Sequence, residues 1–154
     1  MPFSNLYHGS VRPVGLAGRF YEGRQEKEIP DATHTTPSMG NFYYTPVVPR
    51  PYVAVWTGAL TVEVSGQNIF RLDGVGTIKL TINGSQVALK PAGVGNRTRK
   101  LHMEAGVHQI SVEHHSLTAP SEFNLLWAPP DRPLMPIPLD RMAPDWGRLF
   151  RIVE

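Results

Sequence analysis

Apolar and polar residues alternate along much of the chain. In the longest such segment the apolar residues occupy every second position over most of its length, namely Tyr52, Ala54, Trp56, Leu60, Val62 and Val64. Shorter alternating segments follow at 68–72, 78–82, 101–103, 108–114 and 123–127. A period of two is typical of strands that bury one face. We therefore expect residues 52–64 to form a strand with one buried face, and residues 68–72 to form its return strand.

Turn residues separate the alternating segments. Asn83-Gly84 stands between Ile82 and a second apolar series, Val87 and Leu89. This dipeptide favours a two-residue type I′ hairpin, because both turn positions need a positive φ. Ala105-Gly106 is expected to turn the chain as well. Seven or more short strands at about ten-residue spacing predict an all-β fold, an antiparallel β-barrel or sandwich.

Proline marks the less regular segments. The prolines between residues 22 and 51 restrict any strands there to sheet edges. Residues 129–138 are half proline, which favours an extended strap that packs along the body or leads to another domain. Residues 145–154 have a pattern that can form one short helical turn.

Composition narrows the class of protein. The 154 residues include 15 Pro and 14 Gly, which argue against long helices. A formal net charge of +2 is too small to indicate a nucleic-acid-binding protein. No apolar run approaches the roughly 20 residues of a transmembrane segment. The lack of Cys excludes disulfides, thiolate metal sites and cysteine nucleophiles. Residues 1–5 show no signal peptide.

The sequence shows no catalytic constellation. It has neither a G-x-S-x-G elbow nor an H-E-x-x-H helix. Glu63, Glu104 and Glu113 fall at outward or turn positions, where solvated surface is a simpler interpretation than general acid–base catalysis. Gly74-Val75-Gly76 runs into a strand, so it is a turn and not a phosphate-binding loop at a helix. We therefore expect no enzymatic activity.

Three histidines recur every six residues. A tight hairpin at residues 105–106 would place His102 opposite His108, which is a plausible start for a metal site with His114. No Asp lies close enough in sequence to complete such a site. We therefore predict no metal site, a hydrogen-bonded His108 near the core, and His114 and His115 on opposite faces.

Basic and aromatic residues leave two alternatives open. The segment Lys90 to Lys100 is expected to be a solvated basic loop, although such a loop can attract an anionic partner. Trp56 and Trp127 lie on the buried phase of their strands and are predicted to be core residues. Residues 42–44, which are all aromatic, either pack at a sheet edge or stack on a sugar or protein partner.

Several short motifs, taken in order, resemble the protective-antigen (PA14) domain family. They are Gly15-Leu16-Ala17-Gly18-Arg19-Phe20-Tyr21, Val55-Trp56-Thr57-Gly58-Ala59-Leu60, Ile69-Phe70-Arg71-Leu72-Asp73, Ile82-Asn83-Gly84, Ala105-Gly106-Val107-His108-Gln109-Ile110 through Glu113, Leu125-Leu126-Trp127 and Pro136-Ile137-Pro138. The resemblance implies a linker or N-terminal arm at residues 1–14, a protective-antigen-type β domain at residues 15–143 and a C-terminal tail at residues 144–154.

The resemblance also implies a function. It is that of a non-catalytic β module that binds carbohydrate, or derives from a carbohydrate-binding ancestor, within a larger exported or membrane-attached protein. A glycan is then the expected ligand and the location is extracytoplasmic. The alternative is a protein-interaction or spacer domain of the same fold, with a protein partner and no sugar binding.

The carbohydrate-binding members that this chain resembles hold calcium with two adjacent Asp residues in the loop before the Asn-Gly hairpin. The spacing places that pair at Val75-Gly76, and neither side chain can ligate a hard cation. We therefore expect calcium-independent binding without a cofactor. The resemblance implies a ligand site in two loops, formed by Asp73, Gly74, Val75 and Gly76 and by Ser116, Thr118, Ser121 and Glu122.

Overall fold

The structure is a computed structural model that describes residues 14–36, 48–117 and 123–145. Within these residues the chain forms eleven β-strands and one 3₁₀ turn, Leu139–Arg141. The strands are β1 (Leu16–Glu22), β2 (Ala32–Thr36), β3 (Tyr52–Val62), β4 (Gly66–Gly74), β5 (Thr77–Ile82), β6 (Ser85–Lys90), β7 (Arg97–Met103), β8 (Gly106–Ser116), β9 (Phe123–Ala128), β10 (Met135–Pro136) and β11 (Met142–Pro144). The all-β prediction is confirmed.

Two antiparallel sheets form a β-sandwich. The larger sheet has the order β2-β1-β3-β8-β5-β6, and β11 also pairs with β3. The smaller sheet has the order β10-β9-β4-β7. The two sheets do not close on each other, so the fold is a sandwich and not a barrel. Among the described residues between 22 and 51, the one strand is β2, and it lies at the end of the strand order, as the prediction for this segment requires.

Two predicted hairpins are wrong, because short links carry the chain from one sheet to the other. The strand β4 pairs with β7 and β9 instead of returning along β3. The strand β8 pairs with β3 and β5 instead of β7. In each case the links, residues 63–65 and 104–105, let consecutive apolar strands face each other across the core. His102 and His108 consequently lie in different sheets.

The core lies between the two sheets. Trp56 and Trp127 are 1% and 2% exposed, which confirms their prediction as core residues. The ring of Trp56 packs against Phe20 of β1 and Phe123 of β9, with centroid distances of 5.8 and 5.0 Å. Such aromatic pairs contribute about 0.5–1.5 kcal/mol beyond the burial of their area. The aromatic cluster therefore joins the two sheets.

The strand β3 is buried on both faces along its first half, and the prediction of one buried face is wrong there. Val53 and Val55 are 1% and 7% exposed on the outer face of the larger sheet. They pair in register with Tyr21 and Arg19 of β1, whose long side chains lie beside them. The strand also ends earlier than predicted, and Val64 beyond it is 61% exposed.

The hairpin between β5 and β6 is confirmed. Asn83 and Gly84 have φ values of 51° and 82°, and the Asn83 side-chain oxygen accepts a hydrogen bond from the amide of Gln109 at 2.9 Å. The pairing shifts register between residues 80 and 81. Beyond this irregularity Ala88 and Lys90 are buried and Leu89 is exposed, whereas Val87 is half-buried and packs against the core.

The proline-rich strap packs along the body. Its strand β10 pairs with β9 of the smaller sheet, and β11 pairs with β3 of the larger sheet. The aromatic residues 42–44 and the tail beyond residue 145 lie outside the described residues. In the part of the chain that the structure describes, no helix is both long and apolar enough to span a membrane.

Candidate functional site: the end of the sandwich around the β4–β5 turn

The described parts of the two predicted ligand loops lie at one end of the sandwich. Gly74, the last residue of β4, pairs with Phe123 at the start of β9. Thr77, the first residue of β5, pairs with His115 near the end of β8. The turn of residues 75–76 therefore lies beside the end of β8. We call this region the β4–β5 end.

The predicted site residues at this end differ in exposure. Asp73 and Gly74 belong to β4, and Val75 and Gly76 form the turn. Ser116 is the last residue of β8, pairs with Tyr52 and is 2% exposed, so it is a strand residue and not a loop residue. The remaining predicted residues, Thr118, Ser121 and Glu122, lie outside the described residues.

Two side chains of the core hold the β4–β5 turn from inside. His114 Nε2 donates to the carbonyl oxygen of Val75 at 2.6 Å. Lys90 Nζ donates to the carbonyl oxygens of Gly76 and Pro91 at 3.2 and 3.4 Å. His114 is fully buried and Lys90 is 2% exposed. The turn is therefore fixed by hydrogen bonds from a buried imidazole and a buried ammonium.

Gly76 is required by the close approach of the turn to β8. Its φ of 95° lies in the left-handed region that favours glycine. A Cβ at this position would collide with the backbone oxygen of His115. An aspartate at position 76 is therefore incompatible with this backbone.

Burial changes the pKa of both side chains that hold the turn. Desolvation lowers the pKa of His114 to about 4, and the Val75 carbonyl opposes this shift. The nearby cations His115, Lys90 and Arg50 lower the pKa of His114 further. His114 is consequently neutral at pH 7 and carries its proton on Nε2.

The pKa of Lys90 is also lowered, mainly by desolvation. The Asp73 carboxylate opposes this shift because it favours the ammonium form, whereas the Arg97 guanidinium adds to it. Lys90 lies at the end of the segment that sequence reasoning interpreted as a solvated basic loop. That interpretation is wrong for Lys90, which is buried, and residues 97–100 belong to β7, where Thr98, Arg99 and Lys100 are exposed.

A ligand can reach polar and apolar groups at this end. The Asp73 side chain is 46% exposed, and its Oδ2 lies 3.7 Å from the guanidinium of Arg71. Leu117, directly after β8, is 42% exposed. The carboxylate and guanidinium pair can hydrogen-bond the hydroxyl groups of a ligand, and Leu117 is an exposed aliphatic side chain at the same end of the sandwich.

A second concave surface lies on the outer face of the larger sheet. Its cavity of about 310 Å³ is lined by residues that include Thr57, Thr81, Ser111, Lys79 and Glu113. The three hydroxyl residues lie side by side on β3, β8 and β5. Lys79 Nζ and Glu113 Oε2 are 3.7 Å apart. This groove presents the Lys79 and Glu113 charge pair to solvent, whereas Thr57 is 7% exposed and its hydroxyl accepts a hydrogen bond from Arg19 at 2.7 Å.

The candidate carboxylates do not form a catalytic pair. Each has its own partners: Glu63 binds Arg141, Glu104 binds the His102 imidazole, and Glu113 binds Lys79 and the His115 imidazole. Because the three carboxylates do not share a site, they form no pair in which one is protonated and the other is not.

The histidines are used structurally. His108 accepts a hydrogen bond from Asn83 at 2.9 Å and donates to the Glu104 carbonyl at 2.7 Å, as the prediction of a hydrogen-bonded His108 requires. His114 faces the core and His115 the outer face of β8, which confirms their opposite orientation. Over the described residues no three His, Asp or Glu side chains are grouped so that they could hold a metal ion.

The sandwich and its arrangement of turns are shared with known proteins. The PA14 domain family model matches residues 14–141. An anti-sigma factor domain-containing protein is 19% identical with a TM-score of 0.76, over 87% of this chain and 49% of that chain. The PA14 sugar-binding domain of an RTX adhesin is 14% identical with a TM-score of 0.67, over 85% of this chain and 98% of that one.

A fungal adhesin is similar as well. The A domain of epithelial adhesin 9 from Candida glabrata, in complex with Galβ1-3GlcNAc, is 10% identical with a TM-score of 0.66, over 84% of this chain and 88% of that one. No curated protein matches the chain. At these identities the structural similarity establishes the fold.

The two-sheet topology and the turn-bearing end define an antiparallel β-sandwich domain of the protective-antigen type. The chain belongs to the PA14 domain family, whose model matches most of its length. It spans about half of the length of the anti-sigma factor domain-containing protein to which it is similar.

Proposed function

We propose that the chain is a non-catalytic, lectin-like module that binds carbohydrate as an accessory part of a larger exported or membrane-attached protein. The observation that carries this proposal is the PA14 family match over residues 14–141. Two neighbours of the same fold support it, since one is described as a sugar-binding domain and the other was solved with a disaccharide. The carboxylates Glu63, Glu104 and Glu113 bind separate partners, and this supports a role without catalysis because no two of them share a site.

The β4–β5 end is the proposed glycan site. Asp73, together with Arg71, provides hydrogen-bonding groups, and Leu117 provides an apolar contact. Sugars are bound by this combination of directed polar groups and apolar surface. The groove on the outer face of the larger sheet is the other place where hydroxyl groups of a ligand would find partners.

A glycan array tests the proposal. The purified chain is applied at about 1 µM, and the tightest ligand is measured by calorimetry for the wild type and for Asp73→Asn. The matched control is Asp140→Asn, which removes an exposed carboxylate in the 3₁₀ turn beside the far end of β3. We expect the Asp73 variant to lose about tenfold in affinity, equivalent to one charge-assisted hydrogen bond, and the control to bind as the wild type does. A folded chain that binds no glycan contradicts the proposal.

A protein-interaction role is the second candidate function. Val64 and Val107 are 61% and 72% exposed at the end of the sandwich opposite the β4–β5 turn. Exposed apolar side chains at one end favour contact with another protein surface. Val107→Ser is expected to abolish a self-association or partner interaction measured by light scattering. If the wild-type chain is a monomer without a partner and the substitution changes nothing, the protein-interaction role is contradicted.

A further inference from the structure

The carbonyl oxygens that a hard cation would need at the β4–β5 turn already accept hydrogen bonds from two buried side chains. Calcium binds oxygen ligands, which here would be backbone carbonyls, because Val75 and Gly76 have no side-chain oxygen. The Val75 carbonyl accepts a hydrogen bond from His114 and the Gly76 carbonyl accepts one from Lys90. The residues at this turn therefore do not fit calcium.

Electrostatics lead to the same conclusion. A calcium ion bound to the Gly76 oxygen would lie about 2.4 Å from that atom, and Lys90 Nζ lies 3.2 Å from it. The two cations would then be within about 6 Å of each other. Two like charges at that separation repel each other.

We propose that the Lys90 ammonium is the resident cation of the β4–β5 end, and that a ligand binds there without a divalent metal ion. Lys90 acts as a positioning residue: its ammonium holds the carbonyls of residues 76 and 91, and thereby connects the β4–β5 turn to the β6–β7 loop. The part of this inference that concerns the glycan rests on the proposed function, whereas the part that concerns the metal does not.

Calcium titration of the wild-type chain tests the inference directly. The protein is dialysed against EDTA and then buffer, and its melting temperature is measured from 0.1 to 10 mM calcium chloride against sodium chloride of equal ionic strength. We expect a difference of less than about 1 °C. A site with a Kd of about 0.1 mM would raise the melting temperature by roughly 8 °C at 10 mM. A rise of that size overturns the inference.

Variants of Lys90 test its positioning role. Lys90→Ala removes the ammonium, and Lys100→Ala, on the exposed side of β7, is the matched control. We expect faster amide exchange at Gly76 and Thr77 in the Lys90 variant and unchanged exchange in the control. Adding 100 mM n-propylammonium, which restores the missing atoms and charge, is expected to recover protection, whereas n-propanol is not. Equal recovery with both compounds would show that a neutral donor serves as well as the ammonium, which contradicts the role of Lys90 as the resident cation.

The glycan measurements separate this inference from the proposed function. A glycan that binds equally in EDTA and in 5 mM calcium supports both. A glycan that binds only in calcium contradicts the inference and leaves the proposed function standing. A folded chain that binds no glycan contradicts the proposed function, and the wild-type calcium titration then decides the metal question alone.

Discussion

Acidification is expected to destabilise the fold through His114. The side chain is fully buried between Phe123 and the β4–β5 turn, with its ring centroid 5.0 Å from that of Phe123. Its pKa is about 4 in the folded chain and about 6.5 in an unfolded one. The unfolded chain therefore binds more protons between these values, and the free energy of unfolding falls as the pH decreases from about 6.5 to about 4. The difference in pKa corresponds to about 3 kcal/mol at the lower limit.

Urea denaturation from pH 7 to pH 4.5 measures this effect, with Trp56 and Trp127 as fluorescent reporters of the core. The control is His114→Gln, whose amide can donate to the Val75 carbonyl and does not titrate. Acid also removes the stability that Asp31 and Glu104 contribute to the fold, because hydrogen bonds lower the pKa of each carboxyl group in the folded chain. Both proteins contain them, so their contribution cancels in the comparison. If the two stability profiles run parallel over this range, His114 does not have the buried, neutral state described above.

Three further substitutions probe the packing of the sandwich. Gly58→Ala would place a Cβ against the backbone oxygen of Ala143 on β11, and we expect the free energy of unfolding in urea to fall by about 1–3 kcal/mol. An unchanged midpoint would show that β11 does not lie against β3. Asn68→Ala removes the acceptor of the Trp127 indole hydrogen bond, 2.9 Å long and buried, and is expected to cost about 1–3 kcal/mol. A double-mutant cycle with Trp127→Phe should then show coupling between the two sites, and additive effects would exclude it. Asn83→Ala removes a residue that tolerates the positive φ of the turn, together with its hydrogen bond to the Gln109 amide. We expect the free energy of unfolding, measured by thermal denaturation, to fall by about 1–2 kcal/mol. A stability equal to that of the wild type would refute a turn-forming role.

The strands were predictable from the sequence because their alternation is a local property. The pairing of the strands was not, since a link of two or three residues can either close a hairpin or carry the chain to the opposite sheet. The apolar pattern is the same in both cases: Leu60 and Phe70 face one core from two sheets here, and would face it from one sheet in a hairpin. Short links therefore leave the topology open even where each strand is clear.

The candidate site was predicted less completely than the fold. Residues 73–76 were identified through a family resemblance, and Lys90 and His114, which hold the turn, were not. Both lie on the inward phase of a strand, and for Lys90 that phase depends on a register shift at Val87 in its own strand. No local pattern encodes such a shift. The sequence predicts that His114 and His115 lie on opposite faces of their strand. It gives no indication that His114 bonds the Val75 carbonyl, 39 positions earlier in the chain.

The proline-rich strap described above has a mechanical consequence. Because β11 directly precedes residue 145 and pairs with β3, tension applied through residue 145 would load the larger sheet first, and would reach β10 on the smaller sheet only after β11 is released. The guanidinium of Arg19 on β1 donates a hydrogen bond to the Asp145 carbonyl at 2.9 Å, which adds to the attachment of this segment to the larger sheet. Under force on this segment, β11 would have to separate from β3, a central strand of the larger sheet, before the sandwich could open.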